Sequence, residues 1–183
     1  AVFGLTKLIQ LNLFGNEITT LHNDIGKLDQ LEKLHLAYNK LSELPESFTN
    51  LSKLRELWLS GNHIPTFPTS LYELGNLSDF YFSSAMFFSV PSGISKLSSL
   101  KVLHFEGNGI TSLPEDFGSL TLIQDLDLAH NELVNFPPGF ANFNKLIDCD
   151  LSGNQIKEIP ANLKLQSLQQ LKIAHNKLTA LPE

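Results

Sequence analysis

The chain has 183 residues, which is enough for one ordinary domain or for one stretch of a repeat array. Hydrophobic residues make up 42% of the chain, which excludes a disordered chain. The net charge of −6 argues against nucleic-acid binding, because that function needs clustered Lys and Arg. No apolar run approaches the ~18 residues that span a bilayer, and the single Cys149 excludes an internal disulfide framework and a cysteine-based zinc site.

A block of the form Leu-x-x-Leu-x-Leu-x-x-Asn-x-Leu recurs along the chain. It starts at positions 8, 31, 54, 77, 100, 123, 146 and 168, a spacing of 23 residues six times and of 22 once, which predicts eight structural repeats. Apolar residues at positions 4 and 6 of each repeat alternate with polar ones, which predicts a short strand with one face buried. Further apolar residues at positions 11, 14, 18 and 21 exceed what one repeat can bury, so we expect the repeats to stack around a continuous core.

Two other positions recur in almost every repeat. Position 15 is Pro in seven of eight repeats, which suits an irregular or 3₁₀ segment because Pro fixes φ and donates no backbone hydrogen bond. Position 9 is Asn in seven of eight, and an amide side chain can satisfy backbone groups left open where the chain leaves a strand. We therefore predict a structural asparagine ladder formed by Asn16, Asn39, Asn62, Asn108, Asn131, Asn154 and Asn176.

The repeated block, with its following x-x-Leu-Pro-x-x-Phe-x-x-Leu, resembles the leucine-rich repeat family. The 23-residue Leu-Pro unit is similar to the type found in Ras-group repeat proteins and in bacterial ones, including those of spirochaetes. The resemblance implies an α/β repeat solenoid that binds proteins. In such an arc, short parallel strands line the concave face, and irregular, 3₁₀ or short helical segments lie on the convex face. We expect residues 1–183 to form a single domain of this kind, cut from a longer array or lacking caps, because Val2 and Leu5 already match positions 18 and 21 of a preceding repeat.

The fourth repeat departs from this pattern. Ala85 replaces the ladder asparagine, and Phe rings replace the usual Leu or Ile at three core positions, Phe80, Phe82 and Phe87. We interpret the rings as compensation for altered packing. The role of Phe88, at a position where other repeats carry mostly small or polar residues, is left open between drift and a second contact patch.

Side chains at positions 3, 5, 7 and 8 point away from the core and form the candidate binding face. The first predicted zone is aromatic and contains Phe14, His35, Tyr38, Trp58, Tyr81 and His104. Aromatic residues with a polar tip dominate interface energies, and an exposed apolar patch on a soluble protein usually marks a contact. The alternative explanation is the high strand propensity of aromatic residues.

The second predicted zone is acidic. Positions 3, 5, 7 and 8 together carry seven acidic residues and two lysines, a net −5 of the chain's −6. The predicted partner-binding acids are Glu106, Asp125, Asp127, Asp148 and Asp150. The two aspartates of one strand should lie beside the two of the next, where like charges repel. A partner with a basic surface would relieve this repulsion, and Ca²⁺ is the alternative, although an open sheet lacks an enclosing ligand loop.

These observations predict a non-catalytic module that binds a protein partner through its concave sheet face. A structural spacer within a larger multidomain protein is the alternative. We predict no enzyme activity, cofactor, metal site, nucleic-acid partner or membrane span, and the oligomeric state stays open. The lone cysteine fits the reducing cytoplasm, while a secreted or cell-surface bacterial protein is the other possibility for the compartment.

Overall fold

The structure, a computed structural model, describes residues 2–161, 163 and 165–182. Ala1, Asn162, Lys164 and Glu183 of the predicted domain lie outside the described residues. Eight three-residue strands form one parallel sheet in chain order. They are β1 (Gln10–Asn12), β2 (Lys33–His35), β3 (Glu56–Trp58), β4 (Asp79–Tyr81), β5 (Val102–His104), β6 (Asp125–Asp127), β7 (Asp148–Asp150) and β8 (Gln170–Lys172).

The alternation of apolar and polar residues explains why each strand buries one face only. In β2 to β7 the middle residue is buried in the core, as Leu34 and Leu103 are, while its two neighbours are more exposed; in the end strands β1 and β8 the middle residue is not fully buried. Equivalent residues of successive repeats pair directly, for example Leu57 with Phe80. The 23-residue spacing therefore sets the strand register, and the prediction of short parallel strands is confirmed.

The described residues contain no α-helix but seven 3₁₀ helices, one before β1 and one in each connection between β1 and β7. They are Val2–Gly4, Asn23–Lys27, Glu46–Asn50, Thr69–Glu73, Ile94–Lys96, Glu115–Ser119 and Phe140–Asn142. Pro45, Pro68 and Pro114 each stand directly before one of them in an extended conformation. Because proline has no N–H to leave unsatisfied, it is suited to this position. Among the described residues, no helix has the length and apolar character that a membrane crossing requires.

One continuous apolar core lies between the sheet and the 3₁₀ helices. In the fourth repeat the expected aliphatic residues are replaced by rings that pack on each other: Phe82 stacks on Phe87 with centroids 4.7 Å apart, and Phe80 meets Phe105 edge-on at 5.5 Å. All four are fully buried. Phe88 points outward with 62% of its surface exposed and covers Gly109, where an added Cβ would come within 2.4 Å of the ring.

Candidate functional site

The sheet face opposite the core, here called the open sheet face, carries all the predicted partner-binding residues. Three features organise it: a row of rings on β2 to β5, a separate pair of rings near β1, and a group of acids around β5 to β7. The aromatic row and the neighbouring aspartates of β6 and β7 follow from the same cause. Position 5 of every repeat lies beside position 5 of the next, so side chains 23 residues apart become lateral neighbours.

The aromatic row consists of His35, Trp58, Tyr81 and His104, one ring from each of four adjacent strands. Trp58 stacks on Tyr81 with centroids 4.1 Å apart and an interplanar angle of 27°. His35 lies 5.2 Å from Trp58 on one side, and His104 meets Tyr81 edge-on at 4.9 Å on the other. Stacked and edge-to-face pairs at these distances stabilise each other beyond their buried area. The sequence pattern predicts that these residues lie together, and the sheet places them as one continuous row.

Glu56 holds the aromatic row in place through hydrogen bonds and an ion pair. The sequence pattern did not predict this role, because it places Glu56 only among the seven outward-facing acids of positions 3, 5, 7 and 8. Its carboxylate accepts a hydrogen bond from Trp58 Nε1 at 2.8 Å, contacts His35 Nε2 at 2.9 Å and pairs with Lys33 Nζ at 2.6 Å. Burial works against ionisation, but these three contacts outweigh it and lower the pKa of Glu56. The signal was present in the sequence: positions 3 and 5 of one strand share a face, which puts Glu56 beside Trp58.

Phe14 and Tyr38 form a separate pair. Their rings meet edge-on at 5.3 Å, and among the described residues no ring contact joins them to the aromatic row. Both are exposed, at 55% and 61%. Tyr38 adopts a positive φ of 55° and lies over Gly61, where a Cβ would come within 2.8 Å of the ring. Gly61 therefore leaves room for the tyrosine to cover the turn of the next repeat.

The four aspartates of β6 and β7 lie side by side, with Asp125 paired to Asp148 and Asp127 to Asp150. Although equivalent in the repeat, Asp127 and Asp150 differ in environment. Burial, together with the charges of Glu106 and Asp150, raises the pKa of Asp127 despite a hydrogen bond from Ala129 N. The pKa of Asp150 is lowered, because Ser152 and Lys172 outweigh the effect of burial.

His104 and Glu106 link the aromatic row to these acids. His104 Nε2 lies 3.2 Å from Asp125 Oδ2, and Glu106 Oε2 accepts a hydrogen bond from Ser83 Oγ. His104, Glu106 and Asp127 each offer one ligand atom within 4.8 Å of the other two. The Ser83 hydroxyl is directed to the carboxylate of Glu106 and not to the ring of His104. Ser83 and His104 therefore do not form the nucleophile and base pair of a serine hydrolase.

The asparagines at position 9 bridge the backbones of adjacent repeats rather than bonding to one another. Asn62 Nδ2 donates to Leu59 O at 2.8 Å in its own repeat and to Leu36 O at 3.0 Å in the preceding one, while its Oδ1 accepts from Leu41 N. The same pattern recurs at Asn39, Asn131, Asn154 and Asn176. The predicted asparagine ladder is therefore a series of side-chain to backbone hydrogen bonds between adjacent repeats.

Two of the position 9 asparagines, Asn16 and Asn108, differ from the others. Asn16 is exposed and bonds only to carbonyls of its own repeat. Asn108 follows the repeat in which Ala85 replaces asparagine, and its Oδ1 accepts from both Ala85 N and Met86 N at 3.0 Å. Met86 adopts a positive φ of 67°, so the turn of the fourth repeat follows a different path.

Comparisons with known proteins agree with this architecture. A family model for two copies of leucine-rich repeats matches residues 29–76, and a single-repeat model matches residues 99–120. No curated protein matches the chain at a significant level.

Three solved structures illustrate the similarity. A Leptospira interrogans leucine-rich repeat protein, LIC12759, is 29% identical over 99% of this chain with a TM-score of 0.82. This chain spans 52% of that protein, about half of its length. Internalin C2 of Listeria monocytogenes is 26% identical over 97% of this chain and 76% of its own, with a TM-score of 0.85.

The third is the ectodomain of the Arabidopsis thaliana receptor kinase GASSHO1/SCHENGEN3, in complex with CASPARIAN STRIP INTEGRITY FACTOR 2. It is 30% identical over 100% of this chain and 23% of its own, with a TM-score of 0.87. Repeat spacing, strand register and these similarities lead to one conclusion. The chain has the repeat pattern and the solenoid fold of leucine-rich repeat proteins.

Proposed function

We propose that this protein is a non-catalytic recognition module that binds a protein partner through its open sheet face. The observation that carries the proposal is the aromatic row, in which Trp58 stacks on Tyr81 and is held by a hydrogen bond to Glu56. Tryptophan and tyrosine are the residues most often found at interface hot spots. Rings that are already ordered lose little conformational entropy on binding, so more of their contact energy appears as affinity.

The charge of the same face favours a partner with a basic surface. Asp125, Asp127 and Asp148 form no ion pair with Lys or Arg among the described residues, so their field extends into solvent. A field of one sign speeds the encounter with a partner of the opposite sign. It also disfavours nucleic acid, whose phosphates would be repelled. The Arabidopsis ectodomain described above is in complex with another factor, which supports recognition as the use of this fold.

Peptide selection with defined variants tests the proposal. Peptides selected from a random displayed library on the wild-type protein are synthesised, and their Kd values are measured with wild type and with Trp58→Ala/Tyr81→Ala. Phe88→Ala is the matched control, because Phe88 is an exposed aromatic residue away from the aromatic row. We expect the selected peptides to be rich in Lys and Arg and to lose affinity only for the double variant.

The outcomes separate recognition from a purely structural role. Equal affinity of all three proteins for the selected peptides would remove the aromatic row from the binding site. A library that yields no binder saturable at micromolar concentration would favour the spacer alternative. Loss of affinity in Phe88→Ala alone would move the site to the edge of the fourth repeat.

A further inference from the structure

Three potential ligands of different chemistry converge between β5 and β6. His104 ends β5, Glu106 follows two residues later on the same outward face, and Asp127 ends β6 directly beside His104. One ligand atom from each lies within 4.8 Å of the other two. A metal ion requires such convergence, because an imidazole nitrogen and carboxylate oxygens that bind Zn²⁺ lie about 2.0–2.2 Å from it.

Each carboxylate is already held through one oxygen and keeps the other free. Glu106 Oε2 accepts from Ser83 Oγ, and Asp127 Oδ1 accepts from Ala129 N at 2.9 Å. Neither Glu106 Oε1 nor Asp127 Oδ2 forms a hydrogen bond among the described residues. Metal-ligating carboxylates are commonly held in this way by outer contacts that fix their orientation.

The histidine supplies an independent observation. His104 Nε2 is shielded from solvent and forms no hydrogen bond in the described part of the chain, although Asp125 Oδ2 lies 3.2 Å away. A shielded polar atom without a partner calls for a bound ion or water to satisfy it.

The equivalent place three repeats earlier lacks these features. His35 occupies the same strand position as His104, but the nearby Glu56 carboxylate is neutralised by Lys33 and hydrogen-bonded to Trp58. By contrast, no Lys or Arg of the described residues lies within 4 Å of a carboxylate oxygen of Glu106 or Asp127. The negative charge of Glu56 is thus neutralised by Lys33, whereas no Lys or Arg of the described residues neutralises the charges of Glu106 and Asp127.

We propose that His104, Glu106 and Asp127 bind a divalent transition-metal ion of the Zn²⁺ class on the open sheet face. The imidazole nitrogen favours such an ion over Ca²⁺ or Mg²⁺, which prefer oxygen ligands alone and more of them. Three protein ligands leave at least one coordination position for water or for a side chain of a partner. The ion balances the charge of Glu106 and Asp127, while Asp148 stays available to a basic partner.

Zn²⁺ titration of the isolated protein tests the site without a partner. Calorimetry and thermal melting of the metal-free protein are expected to give one site per chain and a higher melting temperature with Zn²⁺. His104→Ala and Asp127→Asn should each weaken Zn²⁺ binding by at least about tenfold. Asp127→Asn keeps an oxygen acceptor for Ala129 N, so it preserves the fold if His104→Ala does not. His35→Ala is the matched control and should bind Zn²⁺ as wild type does.

Other outcomes overturn the proposal. Zn²⁺ binding that survives in His104→Ala, or that falls equally in His35→Ala, would assign the ion to other surface histidines such as His63 or His130. Ca²⁺ binding of equal strength that is insensitive to His104→Ala would indicate attraction to the acids alone. Absence of a saturable site in the wild type would refute the metal site and leave the proposed partner recognition untouched, because that proposal is tested with peptides.

Discussion

The aromatic row and the acids of β6 and β7 occupy equivalent strand positions on one face, yet they are organised in opposite ways. In the row, the negative charge is matched: Glu56 is bound by Lys33, His35 and Trp58 together. Around β6 and β7, Lys172 is the one lysine or arginine of the described residues that pairs with an aspartate, Asp150. The first region is therefore ordered in advance, while the second presents unbalanced charge.

This difference predicts separate contributions to binding. Ordered aromatic contacts slow dissociation, because they are made only in the docked complex. Unbalanced surface charge mainly speeds association and makes it depend on salt. The following variants test this division, beginning with the largest expected effect.

Removing the rings of the aromatic row should nearly abolish binding. Trp58→Ala/Tyr81→Ala is expected to weaken the affinity for a selected peptide about 30-fold or more, the effect of losing at least one hot spot. Folding should lose no more than about 1.5 kcal/mol, the contribution of one ring pair, since both side chains lie on the outer face. Peptide titration and thermal melting measure the two effects. Unfolding of the double variant would show that these rings belong to the core.

The turn of the fourth repeat should depend on Asn108 for its stability. Asn108→Leu leaves the N–H groups of Ala85 and Met86 without their acceptor and should lower the free energy of unfolding by about 1–3 kcal/mol. Asn16→Leu is the control, because Asn16 is exposed and makes no bond to another repeat, and it should change stability by less than about 0.5 kcal/mol. Urea unfolding measures both, and equal losses would contradict the bridging role.

The contacts of the Glu56 carboxylate in the aromatic row should make the stability of the fold depend on pH. Because the folded protein lowers the pKa of Glu56 below its ordinary value of 4.5, its carboxylate stabilises the fold above that pH, and this contribution is lost as the pH falls through the folded value. Glu56→Gln should therefore be about 1 kcal/mol less stable near neutral pH and equal to wild type in acid. The single tryptophan also gives a fluorescence signal for the loosened row.

Glu43→Gln is the matched control for this change. Glu43 is exposed and forms no ion pair or hydrogen bond among the described residues, so its substitution should leave both the stability and the tryptophan emission unaltered. A Glu56→Gln variant whose stability deficit persists in acid would attribute the effect to packing rather than to charge.

Replacing Asp127 or Asp150 with asparagine should change the stability of the fold in opposite directions. The repeat alone predicts the same direction for both, because the two aspartates occupy equivalent positions. The pKa of Asp127 is raised above its ordinary 3.8, so its ionised form costs stability as the pH rises through the folded value, and Asp127→Asn should stabilise the neutral protein. The pKa of Asp150 is lowered, so Asp150→Asn should destabilise it. Each change is expected to stay within about 1 kcal/mol. Melting in a chelator at low and high salt checks the signs, and shifts in the same direction would refute the distinction.

The smallest effect concerns Asp125 and Asp148, the paired acids at the first residues of β6 and β7. Asp125→Asn/Asp148→Asn should slow the association of a basic selected peptide a few-fold at low salt, and should leave its dissociation rate nearly unchanged. Stopped-flow measurements at several salt concentrations test this. A change confined to dissociation would mean that these aspartates form docked contacts.

Much of the architecture could be predicted from the sequence, since the repeat is a one-dimensional signal. A 23-residue period sets which residues become lateral neighbours, and period-two alternation sets which of them face outward. The predicted adjacency of Asp125 to Asp148 and of Trp58 to Tyr81 follows from these two rules alone. The fold class and the resemblance to leucine-rich repeat proteins were accessible for the same reason.

What the tertiary structure decided is where each outward side chain turns and what it meets. Glu56 turns towards Trp58 and Lys33, and Asp127 and Asp150 acquire opposite pKa shifts although they occupy one repeat position. Asn108 bonds to two amides because the preceding turn changes course at Met86. Periodicity in the sequence determines backbone position, whereas hydrogen bonding and ionisation depend on rotamers, burial and neighbouring charges, which exist only once the repeats are stacked.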